Sequence, residues 1–260
     1  MGKLDGRVAV ITSGSTGIGR GIGEAFLAEG ASIVINGRDA EKGAKALKEM
    51  NAGDRGHFIR GDVTVREDID AVVAGAVEHF GKIDILVNNA GGLIKTAPVA
   101  NLADEDWDYA IKWNLYSAFW ASRKALEYMI PQEFGRIIMI SSVEGKHGKP
   151  AIPAYVTCKH AMIGLAKAIA KENGTSGITC NAICPGWVLT PLVEKQLEDR
   201  AKEAGTDVET EKKKMLQESQ PMLKFTTPAE IGALVMFLCS DGAATITGAP
   251  LSIDGGWVAH

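Results

Sequence analysis

Cysteine is scarce in this sequence, and the few cysteines lack a paired spacing. The chain has four cysteines in 260 residues, and Cys180 and Cys184 lie four positions apart without a neighbouring histidine or further cysteine. This usage is typical of buried thiols in a reducing compartment. We therefore expect neither a disulfide framework nor a metal site.

Long apolar segments and an apolar leader are also lacking. The longest apolar run extends from Ile231 to Cys239, which is about half of the roughly 20 residues that a membrane-spanning helix requires. The stretch from Met1 to Arg7 is charged rather than apolar, so no targeting segment is expected. These absences predict a cytoplasmic protein with no membrane partner.

An excess of positive charge is missing too. The chain carries 28 lysines and arginines against 32 aspartates and glutamates, a net charge of −4. A surface that binds nucleic acid needs the opposite balance. We therefore expect no nucleic-acid partner, and predict that the chain binds small molecules or other copies of itself.

What the sequence does contain is an alternation of short apolar runs with segments of helical period. In one segment, apolar residues recur at helical spacing from Ile69 to Phe80, which predicts a helix with one face packed on a sheet. The repeated strand-helix-strand pattern predicts an α/β fold: a single-domain, Rossmann-type, doubly wound parallel sheet with helices on both faces, spanning residues 1–260. The predicted strands are Val8–Thr12, Ser32–Ile35, His57–Ile59, Ile83–Val87, Ile137–Ile140 and Ile178–Ile183.

A loop of small residues follows the first predicted strand. A strand, a small-residue turn and a helix start allow backbone N–H groups and the helix dipole to meet a pyrophosphate, which favours dinucleotide binding over a simple turn. The residues of this loop are Ser13, Gly14, Ser15, Thr16, Gly17, Ile18 and Gly19.

The second predicted strand ends in Asn36-Gly37-Arg38. Enzymes that prefer NAD usually place a carboxylate here for the ribose 2′-hydroxyl, whereas an arginine accommodates the 2′-phosphate of NADP. Arg38 therefore predicts a preference for NADP(H), with NAD(H) possible. The alternative is a solvated Arg38 that pairs with Asp39 or Glu41.

Tyr155 and Lys159 lie four residues apart at the start of a predicted helix, and Ser142 precedes them by thirteen positions. The spacing places tyrosine and lysine on one helix face, so we expect the ammonium group to lower the tyrosine pKa towards the operating pH. Asn88-Asn89-Ala90-Gly91 and Asn114 complete the set of polar positions after the predicted strands.

With these residues in this order, the whole chain resembles the short-chain dehydrogenase/reductase family. Ser13 is a departure, because the family loop has its first glycine there. The matching positions are Thr12 to Gly19, Asp62-Val63, Asn88 to Gly91, Asn114, Ser142, Tyr155, Lys159, Pro185-Gly186, Thr190 and Asp254-Gly255-Gly256.

The resemblance implies a role for each matching residue in oxidoreduction between a secondary alcohol and a ketone. Tyr155 is the general acid and base, Ser142 hydrogen-bonds the substrate oxygen, Lys159 lowers the tyrosine pKa and binds the nicotinamide ribose, and Asn114 holds a proton-supplying water chain. The implied cofactor-binding residues are Ser13, Ser15, Thr16, Gly17, Ile18, Gly19, Arg38, Asp62, Val63, Asn89, Ala90, Gly91, Tyr155, Lys159, Pro185, Gly186, Val188 and Thr190.

Within the family, the sequence resembles bacterial D-3-hydroxybutyrate dehydrogenases at Asn181 to Val193, Gln196, Phe237 to Asp241 and Asp254 to Val258. The residues that bind the substrate carboxylate in those enzymes are changed here. Glu144 stands in place of a histidine, Ile152 in place of a lysine, and Leu93-Ile94 in place of a glutamine. Since a carboxylate repels an acidic substrate, we predict a neutral hydroxylated, polyol or sugar-type substrate. The predicted substrate residues are Ser142, Glu144, Tyr155, Trp187 and Gln196, with Trp257 as a further wall.

An acidic substrate is the alternative. It requires that Glu144 points to solvent and that Lys95, His147 or Lys149 replaces the missing cation. The substrate would then be a 3-hydroxy acid, an acidic sugar or a 3-oxoacyl compound. Two other classes, a cofactor-sensing regulator and a structural protein, do not need the full Ser, Tyr, Lys and Asn set.

Two further expectations concern larger segments. Residues 188–222 are predicted to form a substrate lid, although the charged stretch from Glu194 to Glu218 is also typical of a solvated helix pair. The predicted helix from Ala154 to Ala170 is apolar nearly all round, which predicts a subunit contact in a homotetramer or, alternatively, burial within a monomer.

Overall fold

Seven strands form one parallel sheet. The computed structural model describes residues 2–259. The strands are β1 (Val8–Ile11), β2 (Ser32–Gly37), β3 (Gly56–Arg60), β4 (Ile85–Asn88), β5 (Gly135–Ile140), β6 (Ile178–Pro185) and β7 (Pro250–Ile253). They lie in the order β3-β2-β1-β4-β5-β6-β7, and every neighbouring pair is parallel.

Helices connect the strands and cover both faces of the sheet. A π-helical turn, Lys112–Tyr116, joins the fourth helix to the fifth. No helix within residues 2–259 is long and apolar enough to cross a membrane. The helices are α1 (Gly17–Ala28), α2 (Ala40–Glu49), α3 (Arg66–Phe80), α4 (Asp104–Ile111), α5 (Ser117–Met129), α6 (Pro153–Glu172), α7 (Pro191–Ala204), α8 (Val208–Gln217) and α9 (Pro228–Cys239).

Side chains that alternate along the strands divide the core into two layers. Ala9 and Ile11 of β1 face the layer that also contains buried residues of α1, α2 and α9. Val10 faces the opposite layer, with buried residues of α3, α5 and α6. Because both faces are covered, the central strands are apolar throughout, which is the pattern that predicted them. The doubly wound α/β fold is confirmed.

All six predicted strands are present, and one strand was missed. β7 pairs with β6 at the edge of the sheet, and its residues are half-buried or exposed. A short edge strand needs no continuous apolar run, so residues 250–253 carry no strand signal. The helix predicted from Ile69 to Phe80 is confirmed within α3, whose Ile69, Val72 and Val73 are buried.

The order of the strands reverses between β1 and β4. From β1 the chain builds outward to β2 and β3, and then crosses over to β4 and continues in the other direction. The loops on the two sides of this reversal separate, which leaves a crevice at the carboxyl ends of the strands. The loop that begins at Thr12 and the loop that follows Asn88 border this crevice.

The charged segment after β6 folds as two helices, α7 and α8. They share a small apolar cluster that includes Leu197, Met215 and Phe225, against which Trp187 packs. Most of the charged side chains of the pair are exposed. The expected solvated helix pair is therefore present, and it adjoins the loop after β6.

Candidate active site

Glycines allow the loop between β1 and α1 to pack closely against β2 and the end of β4. A Cβ atom at Gly14 would lie 2.6 Å from Ile35, and one at Gly19 would lie 2.6 Å from Asn89. Gly17 has a φ of +55°. At the start of α1, Thr16 makes no side-chain cap and the first turn has no acidic residue. Uncapped N–H groups at a helix start fit a pyrophosphate.

Asn89 ties this loop to the end of β4. Its side-chain Nδ2 donates to the carbonyl oxygens of Thr12 at 2.9 Å and Ser13 at 3.1 Å. The backbone N–H groups of Asn89 and Ala90 both donate to the Thr12 hydroxyl, each at 2.9 Å. The structure therefore brings together two of the predicted cofactor segments, on opposite sides of the strand-order reversal.

Arg38 lies at the carboxyl end of β2 with its side chain 73% exposed, and its Nη1 is 4.0 Å from Asp62 Oδ2. The sequence suggested Asp39 or Glu41 as an ion-pair partner of Arg38. Asp39 instead caps α2 by accepting a hydrogen bond from the Lys42 N–H at 3.0 Å. Arg38 thus lies beside Asp62, another predicted cofactor residue, while the adjacent Val63 is buried.

The loop after β6 reaches the same crevice. A Cβ atom at Gly17 would lie 3.4 Å from the Thr190 side chain, and the Thr190 hydroxyl accepts from the Val193 N–H at the start of α7. Val188 is buried and forms a β-bridge with Thr226. Pro185 ends β6, and the N–H of Gly186 donates to Ile253 of β7.

Ser142, Tyr155 and Lys159 meet where β5 ends and α6 begins. Ser142 caps the short turn Val143–Gly145, and Tyr155 lies in the first turn of α6 because Pro153 starts that helix. Lys159 Nζ lies 5.4 Å from the centroid of the Tyr155 ring and donates to the carbonyl oxygen of Ile140 at 2.8 Å.

The expected lowering of the Tyr155 pKa is wrong for this arrangement. Burial raises the pKa of Tyr155 to about 12, and the neighbouring Ser142 hydroxyl offsets only part of that rise. Burial also lowers the pKa of Lys159 to about 8. Both changes have the same cause, since removal from water disfavours the charged form of either group.

Asn114 lies in the π-helical turn between α4 and α5 and is fully buried. Its Oδ1 accepts from the Gly92 N–H at 2.9 Å, and its Nδ2 donates to the carbonyl oxygens of Gly92 and Ala110, each at 3.1 Å. Asn114 therefore fixes the loop after β4. Its expected part in a water chain to Lys159 stays a prediction.

Glu144 is 5% exposed, so the interpretation that it points to solvent is wrong. Its two carboxylate oxygens lie 3.6 Å from His147 Nε2 and 3.7 Å from Lys149 Nζ. Burial raises the pKa of Glu144, and these two cations act against that rise. Two of the cations proposed to bind an acidic substrate are thus next to Glu144, whereas Lys95 is exposed.

Two tryptophans border this cluster. The ring centroids of Trp187 and Trp257 are 6.0 Å apart, and Lys149 Nζ lies 5.6 Å and 5.7 Å from them. Glu144 Oε2, His147 Nε2 and Trp187 Nε1 are buried and have no hydrogen-bond partner among the described residues. We name this set of residues the Glu144 cluster; it comprises Glu144, His147, Lys149, Trp187 and Trp257. The cluster presents polar atoms that could form hydrogen bonds with a ligand.

Sequence reasoning missed two buried amides. Gln220 is 1% exposed and its Oε1 accepts from the Trp187 N–H at 3.0 Å. Asn36 is fully buried and its Oδ1 accepts from the Ser13 N–H at 2.8 Å. The available signal for Asn36 was its place directly after the apolar run of β2, within the predicted sheet. Gln196, by contrast, lies on an exposed position of α7.

Comparisons with known proteins agree with this architecture. A family model described as enoyl-(acyl carrier protein) reductase matches residues 13–258. A D-beta-hydroxybutyrate dehydrogenase of Cupriavidus necator is 42% identical over 99% of this chain and 100% of that protein. A 3beta-hydroxysteroid dehydrogenase of Mediterraneibacter gnavus is 37% identical over 100% and 98%.

A solved structure is similar over its whole length. A tryptophan-substituted variant of actinorhodin polyketide ketoreductase with NADPH is 33% identical, with a TM-score of 0.91 and 100% coverage of both chains. The chain belongs to the short-chain dehydrogenase/reductase family. It is an oxidoreductase that acts on CH–OH groups with a nicotinamide cofactor.

The burial of Lys159 predicts a pH dependence of stability. Its pKa is about 8 in the folded protein against an ordinary value of 10.5, so between these values the unfolded chain binds more protons and stability rises with pH. Replacing Lys159 by Met removes this contribution. We expect the free energy of unfolding of the unaltered protein, relative to Lys159→Met, to increase by about 2 kcal/mol between about pH 7.5 and about pH 10. Urea unfolding of both proteins at both pH values measures this difference in free energy. A difference that does not change with pH would contradict the lowered pKa of Lys159.

Proposed function

We propose that this enzyme interconverts a secondary alcohol and a ketone, with Tyr155 as general acid and base. The observation that carries the proposal is that Ser142, Tyr155 and Lys159 lie together at the same edge of the sheet as a loop that fits a dinucleotide pyrophosphate. The bound nicotinamide supplies or accepts the hydride. The relatives named as dehydrogenases and the NADPH-bound ketoreductase support this assignment.

The proposed cofactor site follows the crevice. Backbone groups from the loop after β1 would bind the pyrophosphate, Arg38 and Asp62-Val63 would bind the adenosine, and the segments after β4 and β6 would bind the nicotinamide half. The proposed residues are Ser13, Ser15, Thr16, Gly17, Ile18, Gly19, Arg38, Asp62, Val63, Asn89, Ala90, Gly91, Tyr155, Lys159, Pro185, Gly186, Val188 and Thr190.

The proposed chemistry of the chain is a proton transfer at the Tyr155 hydroxyl. With a pKa of about 12, Tyr155 is protonated at neutral pH and can donate to a substrate carbonyl oxygen. Ser142 hydrogen-bonds the same oxygen and orients it. Lys159, protonated below a pH of about 8, stabilises negative charge on the phenolate that remains.

Removal of the Tyr155 hydroxyl tests this role. We expect Tyr155→Phe to lower kcat at least about 100-fold, because the proton donor is lost while the ring that packs in the site remains. Tyr128→Phe is the matched control, since Tyr128 packs against the core on α5 and not at the site. Steady-state kinetics measures kcat, and NADPH titration checks that cofactor binding is nearly unchanged. If Tyr155→Phe retains more than about a tenth of kcat, the role is wrong.

We propose that the enzyme prefers NADP(H). The end of β2 offers an exposed guanidinium at Arg38 and no carboxylate at Gly37. The Nε of Arg60 donates to the Arg38 carbonyl oxygen at 3.2 Å, so the Arg60 guanidinium lies against the backbone at this strand end. This arrangement favours a 2′-phosphate over a free 2′-hydroxyl.

Two substitutions should shift the preference towards NAD(H). Arg38→Ala removes the cation, and Gly37→Asp introduces the missing carboxylate. A Cβ atom at Gly37 would have no neighbour closer than 3.6 Å, so the aspartate fits without displacing the backbone. We expect kcat/KM for NADPH over NADH to fall at least about tenfold in each variant. An unaltered enzyme that uses NADH as well as NADPH would instead indicate a solvated Arg38.

We propose a neutral hydroxylated substrate, such as a polyol or sugar. The Glu144 cluster places a buried carboxylate near the proton donor and next to Lys149 and His147, so Lys149 is not left unpaired for an acid. The repulsion between Glu144 and an acidic group about 5 Å away would disfavour binding by about 3 kcal/mol at an effective dielectric constant of about 20. Trp187 and Trp257 provide flat apolar walls, and Glu144 Oε2 can accept from a substrate hydroxyl.

A substrate panel with charge variants separates this proposal from an acidic substrate. We expect kcat/KM for 3-hydroxybutyrate to lie below that for the best neutral polyol, sugar or secondary alcohol. Glu144→Gln should raise kcat/KM for 3-hydroxybutyrate at least about tenfold, because Lys149 is then unpaired. Adding Lys149→Met should cancel that gain. If the unaltered enzyme favours 3-hydroxybutyrate and Lys149→Met alone abolishes that activity, Lys149 binds an acid.

We propose a lid and a homotetramer as well. The lid comprises residues 188–222, where Leu192 and Met222 are exposed near the loop after β6. Tyr116 and Phe119, on either side of the start of α5, are exposed apolar residues, and contact between copies would cover them.

A further inference from the structure

Ser13 adopts a backbone conformation that serine rarely takes. Its φ is +53°, in the left-handed region where a Cβ atom is unfavourable and glycine is preferred. Ser13 directly follows β1 and begins the loop that leads to the uncapped start of α1. The conformation of Ser13 therefore sets the direction in which the chain leaves β1 towards these N–H groups.

Two asparagines hold the Ser13 backbone from both sides. Asn36, at the end of β2, accepts from the Ser13 N–H at 2.8 Å. Asn89, after β4, donates to the Ser13 carbonyl oxygen at 3.1 Å. Both backbone groups of Ser13 are therefore hydrogen-bonded to side chains that come from different strand ends.

Asn36 also reaches a second loop. Its Nδ2 donates to the Gly61 carbonyl oxygen at 3.1 Å, and the Gly61 N–H donates to the Gly37 carbonyl oxygen at 3.0 Å. Gly61 precedes Asp62, which lies beside Arg38. One fully buried amide thus joins the loop after β1 to the loop after β3.

We propose that Asn36 is a positioning residue for the cofactor: by holding Ser13 in the left-handed conformation and binding Gly61, it fixes the pyrophosphate loop relative to the adenosine side. Asn36 substitutes for the conformational freedom that a glycine at position 13 would provide. The inference rests on the proposed cofactor site. It predicts that the importance of Asn36 depends on the residue at position 13.

Asn181 offers a matched comparison within the same sheet. It is also a fully buried asparagine on a strand, β6. Its Nδ2 donates to the Ile246 carbonyl oxygen at 2.7 Å, and its Oδ1 accepts from the Ala249 N–H at 3.1 Å. It makes the same two kinds of backbone hydrogen bond as Asn36, but to the chain before β7.

The test measures Kd for NADPH and for NADH by calorimetric titration in six proteins: unaltered, Ser13→Gly, Asn36→Ala, the double variant, Asn181→Ala, and Asn181→Ala with Ser13→Gly. We expect Asn36→Ala to raise Kd at least about tenfold when residue 13 is serine, and less than about threefold when it is glycine. Asn181→Ala should lower the melting temperature without this dependence. With saturating cofactor, kcat of Asn36→Ala should change less than about twofold.

The outcomes separate the positioning role from the proposed function. If neither cofactor binds the unaltered protein, the proposed function fails. If cofactor binds but Asn36→Ala has the same effect with serine and glycine at position 13, only the positioning role fails. Should Asn36→Ala not fold with Ser13, the same comparison is made with Asn36→Ser. Equal changes in Kd for Asn36→Ala and Asn181→Ala would indicate a general loss of stability and overturn the proposal.

Discussion

Parallel pairing of all seven strands directs their carboxyl ends to one edge of the sheet, and the site depends on this constraint. Each loop that leaves this edge contributes a different element: uncapped N–H groups after β1, a cation after β2, Asn89 after β4, and Ser142 after β5. The reversal of strand order between β1 and β4 leaves room for a ligand between them. Thr12 and Asn89 then connect the two sides by hydrogen bonds.

Burial controls the electrostatics at this edge. It raises the pKa of Tyr155 and Glu144 and lowers that of Lys159, because each group loses water around its charged form. The chain limits the cost differently in each case. Lys159 donates to a backbone carbonyl oxygen, whereas Glu144 lies next to His147 and Lys149 at distances longer than a hydrogen bond.

The Glu144 cluster is the structural basis of the proposed neutral substrate. Where the hydroxybutyrate dehydrogenases that the sequence resembles have a histidine and a lysine, this chain has a carboxylate at position 144 and an apolar residue at position 152. Ile152, just before α6, is buried. Because its side chain is apolar, it supplies no charge. His147 and Lys149 compensate for Glu144 locally, and the fold around Tyr155 is retained.

The sequence by itself determined the fold class, six of the seven strands and the order of the chemically active positions. These features are local: apolar runs mark buried strands, and the spacing from Tyr155 to Lys159 is about one helical turn. Tertiary structure alone decided which residues meet. It paired β7 with the sheet edge, buried Glu144 against His147 and Lys149, and placed Asn36 against Ser13. It also set the direction of the Tyr155 pKa shift, since desolvation depends on every element packed around the hydroxyl and not on the neighbours along the chain.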